Sequence, residues 1–305
     1  MIKGIIMRGV GGNYYVDTDG GLVECRARGL FRLKNIKPLV GDRVLIRLTD
    51  DGGNSGYIEE IKERSNEMVR PPVANVEQLL VFFSVKSPEP NFLLLDKLII
   101  AAEMNNLKPV ICFNKSDLAD EELKKHFMSI FTETGYKVIF TSIFDEKSIN
   151  EFKSILKNKL SAFYGPSGVG KSSVINAIQP DFKLKTGEIS DKLKRGKHTT
   201  RHVEIYRLNF GGYIVDTPGF SSFSLAGIGK FELKEYYPEI NKFNSGCRFM
   251  DCLHYKEPGC VVKDAVNDGL ISRVRYNNYI RLLEEIQNMN SYFLFLLTAL
   301  CSYYT

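Results

Sequence analysis

The sequence lacks the segments that would export a protein or hold it in a membrane. Its N-terminus, from Met1 to Ile5, has neither the apolar core nor the cleavage pattern of a secretory signal, so we expect a cytoplasmic protein. The one strongly apolar run, from Tyr292 to Cys301, is about half of the ~20 residues that a membrane-spanning helix needs. We therefore expect no transmembrane span and no membrane partner.

Cysteine is scarce, with six in 305 residues, and a reducing compartment would keep these thiols free of disulfides. Three are scattered along the chain: Cys25, Cys112 and Cys301. The others crowd into fourteen residues together with one histidine: Cys247, Cys252, His254 and Cys260. Three thiolates and an imidazole close a tetrahedral site, which indicates structural rather than catalytic zinc. The alternative is a set of unrelated reduced cysteines.

The net charge of +5 is modest but unevenly distributed. The segment from Lys183 to Arg207 carries five lysines and three arginines against three carboxylates, and so accounts for the whole excess. This segment is either a solvated charged face or a loop that contacts nucleic-acid phosphates.

The first sixty residues alternate short strand-like stretches with glycine-rich turns, which predicts a small antiparallel barrel of the OB-fold type. The five predicted strands are Gly4–Met7, Asn13–Val16, Gly21–Cys25, Arg43–Ile46 and Gly56–Ile61. Basic and aromatic residues of this region suit single-stranded nucleic acid: Arg26, Arg28, Phe31, Arg32 and Lys34. Any small barrel with surface arginines would look similar, so RNA binding stays open on this basis.

The stretch from Arg70 to Asn75 predicts a stiff connector and a domain boundary, because Pro71-Pro72 resists both helix and sheet. Beyond it, strands alternate with helices, as in a parallel sheet covered by helices. We predict strands over 78–85, 109–113, 138–141 and 161–164, helices over 93–105 and 120–134, and a hairpin over 203–215.

The predicted fold class is an α/β domain with a mainly parallel sheet, flanked by the barrel and by a helical zinc-binding domain. The barrel would span residues 1–68, the α/β domain 69–222 and the zinc-binding domain 223–305. In the last of these, Ser272 is expected to cap a helix that runs to Gln287 and packs its apolar stripe in a core.

The stretch from Gly165 to Ser172 matches the phosphate-binding P-loop at every fixed position, between a predicted strand and a predicted helix. Its glycines let backbone amides converge on phosphates, Lys171 would reach the β and γ phosphates, and the Ser172 hydroxyl would bind magnesium. A chance glycine-rich turn is the alternative. The predicted nucleotide contacts here are Gly165, Ser167, Gly168, Val169, Gly170, Lys171, Ser172 and the adjacent Ser173.

An Asn-Lys-Ser-Asp stretch after a buried strand selects GTP rather than ATP. Asp117 can accept two hydrogen bonds, from guanine N1 and N2, which adenine cannot provide. A Thr-Ser pair at the end of the following strand is a weaker candidate for contact with the guanine carbonyl. Each would be ordinary in isolation. With the P-loop they predict GTP and GDP as ligands, and the predicted base contacts are Asn114, Lys115, Asp117, Thr141 and Ser142.

Two further segments are similar to the switches of GTPases. Asp216 ends a predicted strand and would hold magnesium through water, and the Gly219 amide would contact the γ-phosphate. Thr199 or Thr200 would supply the magnesium-binding threonine of the first switch, and the sequence does not decide between them. In isolation, the Pro218-Gly219 pair would be a simple turn.

The order of these motifs is unusual, because the base reader precedes the P-loop. A circular permutation keeps the same three-dimensional site in this order, and it is tolerable because domain termini tend to lie close together at the surface. The second switch then leads directly into the C-terminal domain, so loss of the γ-phosphate would be able to move that domain.

Taken together, the chain resembles the ribosome small subunit-dependent GTPase A family (RsgA, also called YjeQ or YloQ) from the barrel to about Gln287. The stretches that carry the resemblance are 70–75, 196–200, 216–220 and 247–260. The resemblance implies a factor of late 30S subunit maturation, whose GTP hydrolysis is stimulated by that subunit. It also implies that the barrel and zinc domains bind ribosomal RNA, the 16S rRNA of that subunit, and we expect a monomer.

Phe220 stands where many GTPases place the glutamine that orients the attacking water, so we expect slow turnover by the isolated protein. His198 is the candidate for a group that the ribosome brings into position. A solvent-exposed histidine or a direct RNA contact is the alternative for His198. The predicted catalytic residues are Lys171, His198, Thr199, Thr200 and Gly219.

The leading hypothesis is thus a GTPase with magnesium at its nucleotide and a structural zinc ion. Its rival is a GTP-dependent RNA-binding switch in which hydrolysis is incidental. A metabolic zinc hydrolase is disfavoured, because four protein ligands leave no site for water.

Overall fold

The computed structural model describes residues 1–49, 54–69, 71–182, 203–216 and 227–301. The chain divides into two compact units. The first is formed by residues 1–90, 102–119 and 139–223, and the second by residues 91–101, 120–138 and 224–305. The three domains predicted from the sequence, with boundaries near residues 68 and 222, stay a prediction.

Five strands form a barrel at the start of the first unit: β1 (Ile2–Val10), β2 (Asn13–Thr18), β3 (Gly21–Ala27), β4 (Arg43–Leu48) and β5 (Ser55–Ile61). The ring of pairings β1-β2-β3-β5-β4 closes where β4 pairs with β1. Ile6, Ile46 and Ile58 fill its interior at 0% exposure. The predicted OB-type barrel is confirmed, but it is not antiparallel throughout as expected. β3 and β5 run parallel, because the chain passes through β4 before it reaches β5.

A five-residue helix, α1 (Gly29–Leu33), follows β3 and was not predicted, because it is too short to show a helical period. Its Phe31 is 8% exposed and belongs to the barrel core. The Phe31 ring therefore packs mainly in the barrel core and offers little exposed surface for an RNA base.

The predicted stiff connector is a small hairpin instead. β6 (Glu67–Val69) pairs antiparallel with β7 (Pro72–Ala74), so the expectation that the proline pair resists sheet structure is wrong at Pro72. Pro72 is the first residue of its strand, a position at which sheets tolerate proline. The side chain of Asn75 then donates from Nδ2 to the Gly41 carbonyl at 3.0 Å, which ties this segment to the barrel.

The strands that follow form a sheet in the order β10-β9-β8-β11-β13-β12. They are β8 (Gln78–Ser84), β9 (Lys108–Asn114), β10 (Lys137–Thr141), β11 (Leu160–Tyr164), β12 (Glu204–Arg207) and β13 (Tyr213–Asp216). β8, β9, β11 and β13 run parallel, so their carboxyl ends meet at one edge. β12 and β13 pair antiparallel as the predicted hairpin. The predicted strands are confirmed.

Helices connect the parallel strands: α2 (Phe92–Met104), α3 (Glu121–Phe131), α4 (Glu146–Leu156) and α5 (Lys171–Ile178). The two predicted helices are confirmed as α2 and α3, the latter followed by a 3₁₀ turn over Thr132–Thr134. α4 was missed, although its signals are present. Asp145 caps it by accepting a hydrogen bond from the Lys147 amide at 3.0 Å, and its apolar residues recur every three or four positions.

Three helices of the second unit follow in the chain: α6 (Pro238–Asn244), α7 (Val261–Asn267) and α8 (Arg273–Cys301). The predicted helix after Ser272 is confirmed as the first part of α8, and Tyr279 and Leu283 of its stripe are fully buried at 0% exposure. α8 continues to Cys301, past the predicted end at Gln287. None of the helices in the described part of the chain is long and apolar enough to cross a membrane.

The second unit buries a charged cluster. Arg275, 1% exposed, donates from Nε to Glu239 Oε1 at 2.7 Å and forms an ion pair with Asp96. Asn278 Nδ2 donates to the same aspartate at 2.9 Å, and the Tyr237 ring centroid lies 4.4 Å from the guanidinium carbon. These contacts join α2, α6 and α8. The sequence offers no signal for them, since they connect positions far apart in the chain.

Candidate nucleotide and metal sites

The P-loop lies between β11 and α5, as the motif requires. Crowding by neighbouring atoms explains why two of its positions must be glycine. A Cβ at Gly165 would lie 2.3 Å from the Phe82 carbonyl oxygen, and one at Gly170 would lie 2.4 Å from Asn114 Nδ2. Gly170 also has φ +90, a conformation that other residues rarely adopt. The loop thus lies so close to the neighbouring strand ends that these two positions have no room for a side chain.

The Lys171 side chain reaches back over the P-loop. Its Nζ donates to the carbonyl oxygens of Gly165 at 2.5 Å and Pro166 at 2.8 Å. Burial lowers the pKa of Lys171 to about 8. Ser172 follows it in the first turn of α5, where it is buried at 8% exposure. Both residues named by the motif therefore lie at the loop, and their contacts with phosphate and magnesium stay predictions.

Asn114 joins the base-reading loop to the P-loop. Its Nδ2 donates to the Val169 carbonyl at 2.8 Å, and its Oδ1 accepts from Thr141 Oγ1 at 3.0 Å. All three residues are buried within the first unit. Motifs separated in the chain, and in permuted order, are therefore held together by one side-chain amide.

Ser142 positions the base reader. Its Oγ donates to Asp117 Oδ1 at 2.6 Å, while its own backbone amide donates to Ser148 Oγ at 3.1 Å. Asp117 is exposed and Ser142 is buried, so the serine lies behind the carboxylate that would meet the base. A contact between Ser142 and the guanine carbonyl stays a prediction. Ser148 was missed, because it lies at the start of α4, a helix that was not predicted.

Lys115 completes the base-reading loop. It has φ 59 and ψ 39, the left-handed conformation, and its Nζ donates to the Ser87 carbonyl at 2.5 Å. This contact holds the lysine against the loop after β8. The Asn-Lys-x-Asp stretch is thus anchored at each of its three named residues.

The switch residues are covered only in part. Asp216 is the last residue of β13. The residue before it, Val215, pairs with Ala162 of the strand that leads into the P-loop. The backbone of Asp216 therefore lies at the carboxyl edge of the sheet, beside the P-loop. His198, Thr199, Thr200 and Gly219 lie outside the described residues. Their predicted roles stay predictions.

The predicted zinc ligands come together in the second unit. Cys247 Sγ lies 3.9 Å from Cys260 Sγ and 3.5 Å from His254 Nδ1, which is itself 3.4 Å from Cys260 Sγ. With Cys252, the four ligand atoms lie within 4.8 Å of one another. Tetrahedral zinc with Zn–S bonds of about 2.3 Å places its sulfurs ~3.8 Å apart, so the spacing fits a metal ion. Burial lowers the pKa of His254 to about 4, which keeps the ring neutral as a ligand must be.

Neighbouring side chains hold the ligand loop in place. Glu257 accepts hydrogen bonds from the Leu253 and Tyr255 amides, each at 2.9 Å. Tyr276 and Tyr279 of α8 donate from their hydroxyls to the carbonyls of His254 at 2.7 Å and Leu253 at 2.9 Å. Both tyrosines belong to the helix after Ser272, whose apolar stripe is predicted to pack in a core. Their hydroxyls also fix the backbone around the histidine ligand.

A groove of about 370 Å³ lies beside α1 in the barrel. The nine residues around it include Tyr14, Arg28 and Lys37 and no carboxylate. One wall is held firmly. Arg64 donates from Nη2 to the Lys37 carbonyl at 2.7 Å, and its Nε pairs at 2.7 Å with Asp42, which is fully buried at 0% exposure.

A parallel sheet that presents a P-loop and a guanine-reading loop at one edge defines a P-loop GTPase, and here its motifs follow one another in circularly permuted order. Family models match the chain as the RsgA N-terminal domain over residues 3–58 and the RsgA GTPase over residues 61–226. The chain therefore belongs to the RsgA GTPase family of GTP-hydrolysing enzymes, which confirms the resemblance found in the sequence.

Relatives and solved structures agree. A protein of Caldanaerobacter subterraneus subsp. tengcongensis, named small ribosomal subunit biogenesis GTPase RsgA, is 50% identical over 94% of this chain and 96% of its own length. One of the same name from Clostridium kluyveri is 47% identical over 95% and 100%. The crystal structure of YloQ, a circularly permuted GTPase, has TM-score 0.78 at 37% identity and covers 95% of this chain and 96% of its own. YjeQ from Thermotoga maritima has TM-score 0.79 at 39% identity, covering 94% and 98%.

Proposed function

We propose that this protein hydrolyses GTP to GDP and phosphate when it is bound to the small ribosomal subunit, during late maturation of that subunit. The observation that carries the proposal is the hydrogen-bonded unit of Asn114, Val169, Thr141, Ser142 and Asp117, which couples base recognition to the phosphate loop. The names of the relatives supply the target. The protein would act in the cytoplasm as a monomer that contacts 16S rRNA.

In the proposed reaction the amides of the P-loop and the N-terminus of α5 bind the phosphates. Lys171 turns from its loop carbonyls to the β and γ phosphates, whose charge favours its protonated form and offsets the effect of burial. Ser172, Asp216 and one of the two threonines Thr199 and Thr200 would hold the magnesium ion. The magnesium ion would neutralise charge on the phosphates.

The remaining catalytic groups belong to the two switches. The Gly219 amide would contact the γ-phosphate. His198 is the group that the ribosomal subunit brings to the attacking water, because Phe220 cannot orient it. The variant His198→Ala is expected to lose ribosome-stimulated hydrolysis and to keep GTP binding, and an unchanged stimulated rate would remove His198 from the mechanism.

Phosphate release tests the proposed activity. The purified chain is assayed with GTP alone and with added small subunits, with ATP as the control nucleotide. Stimulation of GTP hydrolysis by at least about 100-fold supports the proposal, since groups supplied by a partner are worth about 10³–10⁵ in turnover in related enzymes. Tight GTP-dependent binding to the subunit without stimulation would instead favour the RNA-binding switch with incidental hydrolysis.

Asp117→Asn tests base recognition separately. Xanthine carries a carbonyl where guanine carries the 2-amino group, so an amide that can donate should prefer XDP over GDP. We expect the preference to reverse, measured by competition binding. Glu121→Gln, a nearby exposed carboxylate, is the matched control and should keep the preference for GDP. An unchanged preference in Asp117→Asn would contradict guanine reading by this residue.

The barrel groove is the proposed RNA contact. Lys37 supplies a cation, and the half-buried Tyr14 supplies an aromatic ring at the same opening, a combination that suits an unpaired nucleotide. Lys37→Glu should weaken sedimentation of the protein with small subunits, whereas Lys3→Glu, an exposed lysine of β1 away from the lining, should not. Equal effects would mean that only overall charge matters.

The four-ligand cluster is proposed to hold one structural zinc ion. Its donor set, three thiolates and a neutral imidazole, is that of closed zinc sites. Metal analysis of the purified protein should give one zinc per chain. A different metal, or a substoichiometric amount that leaves the fold intact, would contradict this assignment.

A further inference from the structure

Three large apolar side chains are exposed beside the base-reading residues of the first unit. Leu118, next to Asp117, is 44% exposed. Ile143 and Phe144, which follow Ser142, are 46% and 81% exposed. Single exposed apolar residues need no explanation, but three that adjoin the base-reading residues in the chain call for one.

Hydrogen bonds bring the two loops that carry these side chains together. Ser142 Oγ donates to Asp117 Oδ1 at 2.6 Å, and the same Oγ accepts from the Phe144 amide at 3.2 Å. The backbone of Phe144 is therefore one hydroxyl group away from the carboxylate that reads the base. Leu118 adjoins that carboxylate from the other loop.

The turn that carries Phe144 is held at both ends. The Asp145 amide donates to the Ser142 carbonyl at 3.1 Å, and Ser148 Oγ donates to the Asp145 carbonyl at 2.8 Å. Asp145 then caps α4. These bonds hold the backbone of Phe144 close to the base-reading carboxylate, while its side chain stays exposed.

We propose that Phe144 covers one face of the guanine ring, with Leu118 and Ile143 completing an apolar border around it. The inference rests on the proposed recognition of guanine by Asp117 and adds a contact of a different kind. A carboxylate reads donors on the edge of the base, whereas an aromatic ring contacts its face and excludes water. Phe144 is thus a binding residue that increases affinity for the base without choosing which base.

Alanine substitution tests the contact. Stacking of a base on an aromatic ring is worth about 5-fold to 150-fold in affinity when the ring is removed. At this solvent-facing position we expect the low end, a loss of about 5- to 10-fold in GDP affinity for Phe144→Ala, measured by calorimetry on the full chain. Phe231→Ala, an exposed phenylalanine of the second unit at 46% exposure, is the matched control and should bind GDP as the parent does.

Two readouts separate stacking from loss of fold or loss of edge recognition. Phe144→Ala should weaken GDP and IDP by the same factor, because IDP lacks only the 2-amino group on the edge. Phe144→Leu should recover part of the affinity, and Phe144→Trp should recover all of it. Thermal unfolding without nucleotide should be unchanged in every variant, since the side chain is largely in solvent.

The chain contains no tryptophan, so Phe144→Trp would carry a single fluorescent reporter at the proposed contact. Its emission should change on saturation with GDP and stay the same with pyrophosphate, which has no base. Full GDP affinity in Phe144→Ala, or an indole emission of Phe144→Trp that does not respond to GDP, would overturn the inference. If Asp117→Asn reverses base preference while Phe144→Ala has no effect, the guanine site stands and only the stacking role fails.

Discussion

The nucleotide loops and the cysteine-histidine cluster are built in opposite ways. The cluster takes its four ligand atoms from fourteen consecutive residues and brings them within 4.8 Å of one another. The nucleotide loops are spread from Asn114 to Asp216 and meet only because parallel strands end at one edge of a sheet. If the cluster holds the proposed zinc ion, it should fail as a whole when that ion is removed, whereas a dispersed site held by many hydrogen bonds should weaken in steps.

The largest effect is expected from removing the metal. Binding of structural zinc contributes about 10–16 kcal/mol in small zinc-finger peptides, so chelation or Cys252→Ser should unfold much of the region from residue 227 to the start of α8. Hydrogen exchange would report this as rapid exchange of amides around Cys247 and α7. GDP affinity should change little, because the nucleotide loops belong to the other compact unit.

The control for this experiment is a cysteine outside the cluster. Cys25 is buried in the barrel, so Cys25→Ala should lower stability modestly and leave the metal content and the exchange of the cluster region unchanged. Slow exchange of that region after complete metal removal would show that the ion is not what holds it.

A second, smaller effect should come from the buried arginine of the second unit. Arg275→Met leaves Asp96 and Glu239 in the core without their cation, a change that costs about 3–5 kcal/mol in comparable cases. Urea unfolding would measure the loss. Arg273→Met, an exposed arginine on the same helix, should cost less than about 0.5 kcal/mol.

The loss of stability in Arg275→Met should also depend on pH. Burial raises the pKa of Asp96 even with the arginine present, and removing the cation raises it further. A carboxyl whose folded pKa exceeds its unfolded value stabilises the fold at low pH and loses that contribution as pH rises through the folded pKa. The variant should therefore regain stability as the pH is lowered from neutral. A deficit that does not vary with pH would show that Asp96 stays charged without its partner.

The P-loop offers a test of how much a single link contributes to the dispersed nucleotide site. Gly170→Ala would place a Cβ 2.4 Å from Asn114 Nδ2 at a φ of +90, whereas the nearest atom to a Cβ at Gly168 is 3.9 Å away at a φ of +80. Both variants carry backbone strain of about 1–2 kcal/mol, but only Gly170→Ala also breaks the link from Asn114 to Val169. We expect it to be less stable than Gly168→Ala by about 1–2 kcal/mol in unfolding without nucleotide. Equal stabilities would mean that the link carries little.

The two kinds of site can be predicted from the sequence to different depths. The four side chains that could hold a metal ion can all be predicted from the sequence, because one short spacing pattern contains the whole donor set. The strands could be predicted from hydrophobic periodicity and the P-loop from its motif. The permuted order could be inferred because each motif has a known position in the three-dimensional site. The side chains that hold these motifs in position could not be predicted in this way. The Asn114–Val169 contact joins loops that are distant in the chain, so no local pattern encodes it. Ser148 lies in α4, whose local signals are present, but its hydrogen bond with the Ser142 amide is not among those signals.

The errors have equally physical causes. Pro72 lies in a strand because sheet ends tolerate proline, a positional fact that the Pro-Pro signal hides. The charged cluster around Arg275 joins three helices that are distant in the chain, so neither spacing nor composition announces it. Phe31 is a core residue of the barrel, and a basic surrounding sequence made it look like a surface aromatic.

The smallest effect, and the sharpest test of a dispersed site, is Thr141→Val. The substitution keeps the shape of a fully buried side chain and removes its bond from Oγ1 to Asn114 Oδ1, 3.0 Å long. An unsatisfied buried acceptor costs about 1–3 kcal/mol, and only part of that cost should reach the P-loop, because Asn114 keeps its bond to Val169. We expect a loss of about 1 kcal/mol in unfolding and a GDP affinity roughly two- to fivefold lower. Thr132→Val, whose exposed hydroxyl bonds to the Met128 carbonyl at 3.1 Å, should leave GDP affinity unchanged. If Thr141→Val abolished GDP binding outright, the nucleotide site would fail as a whole, and the contrast with the metal cluster would be wrong.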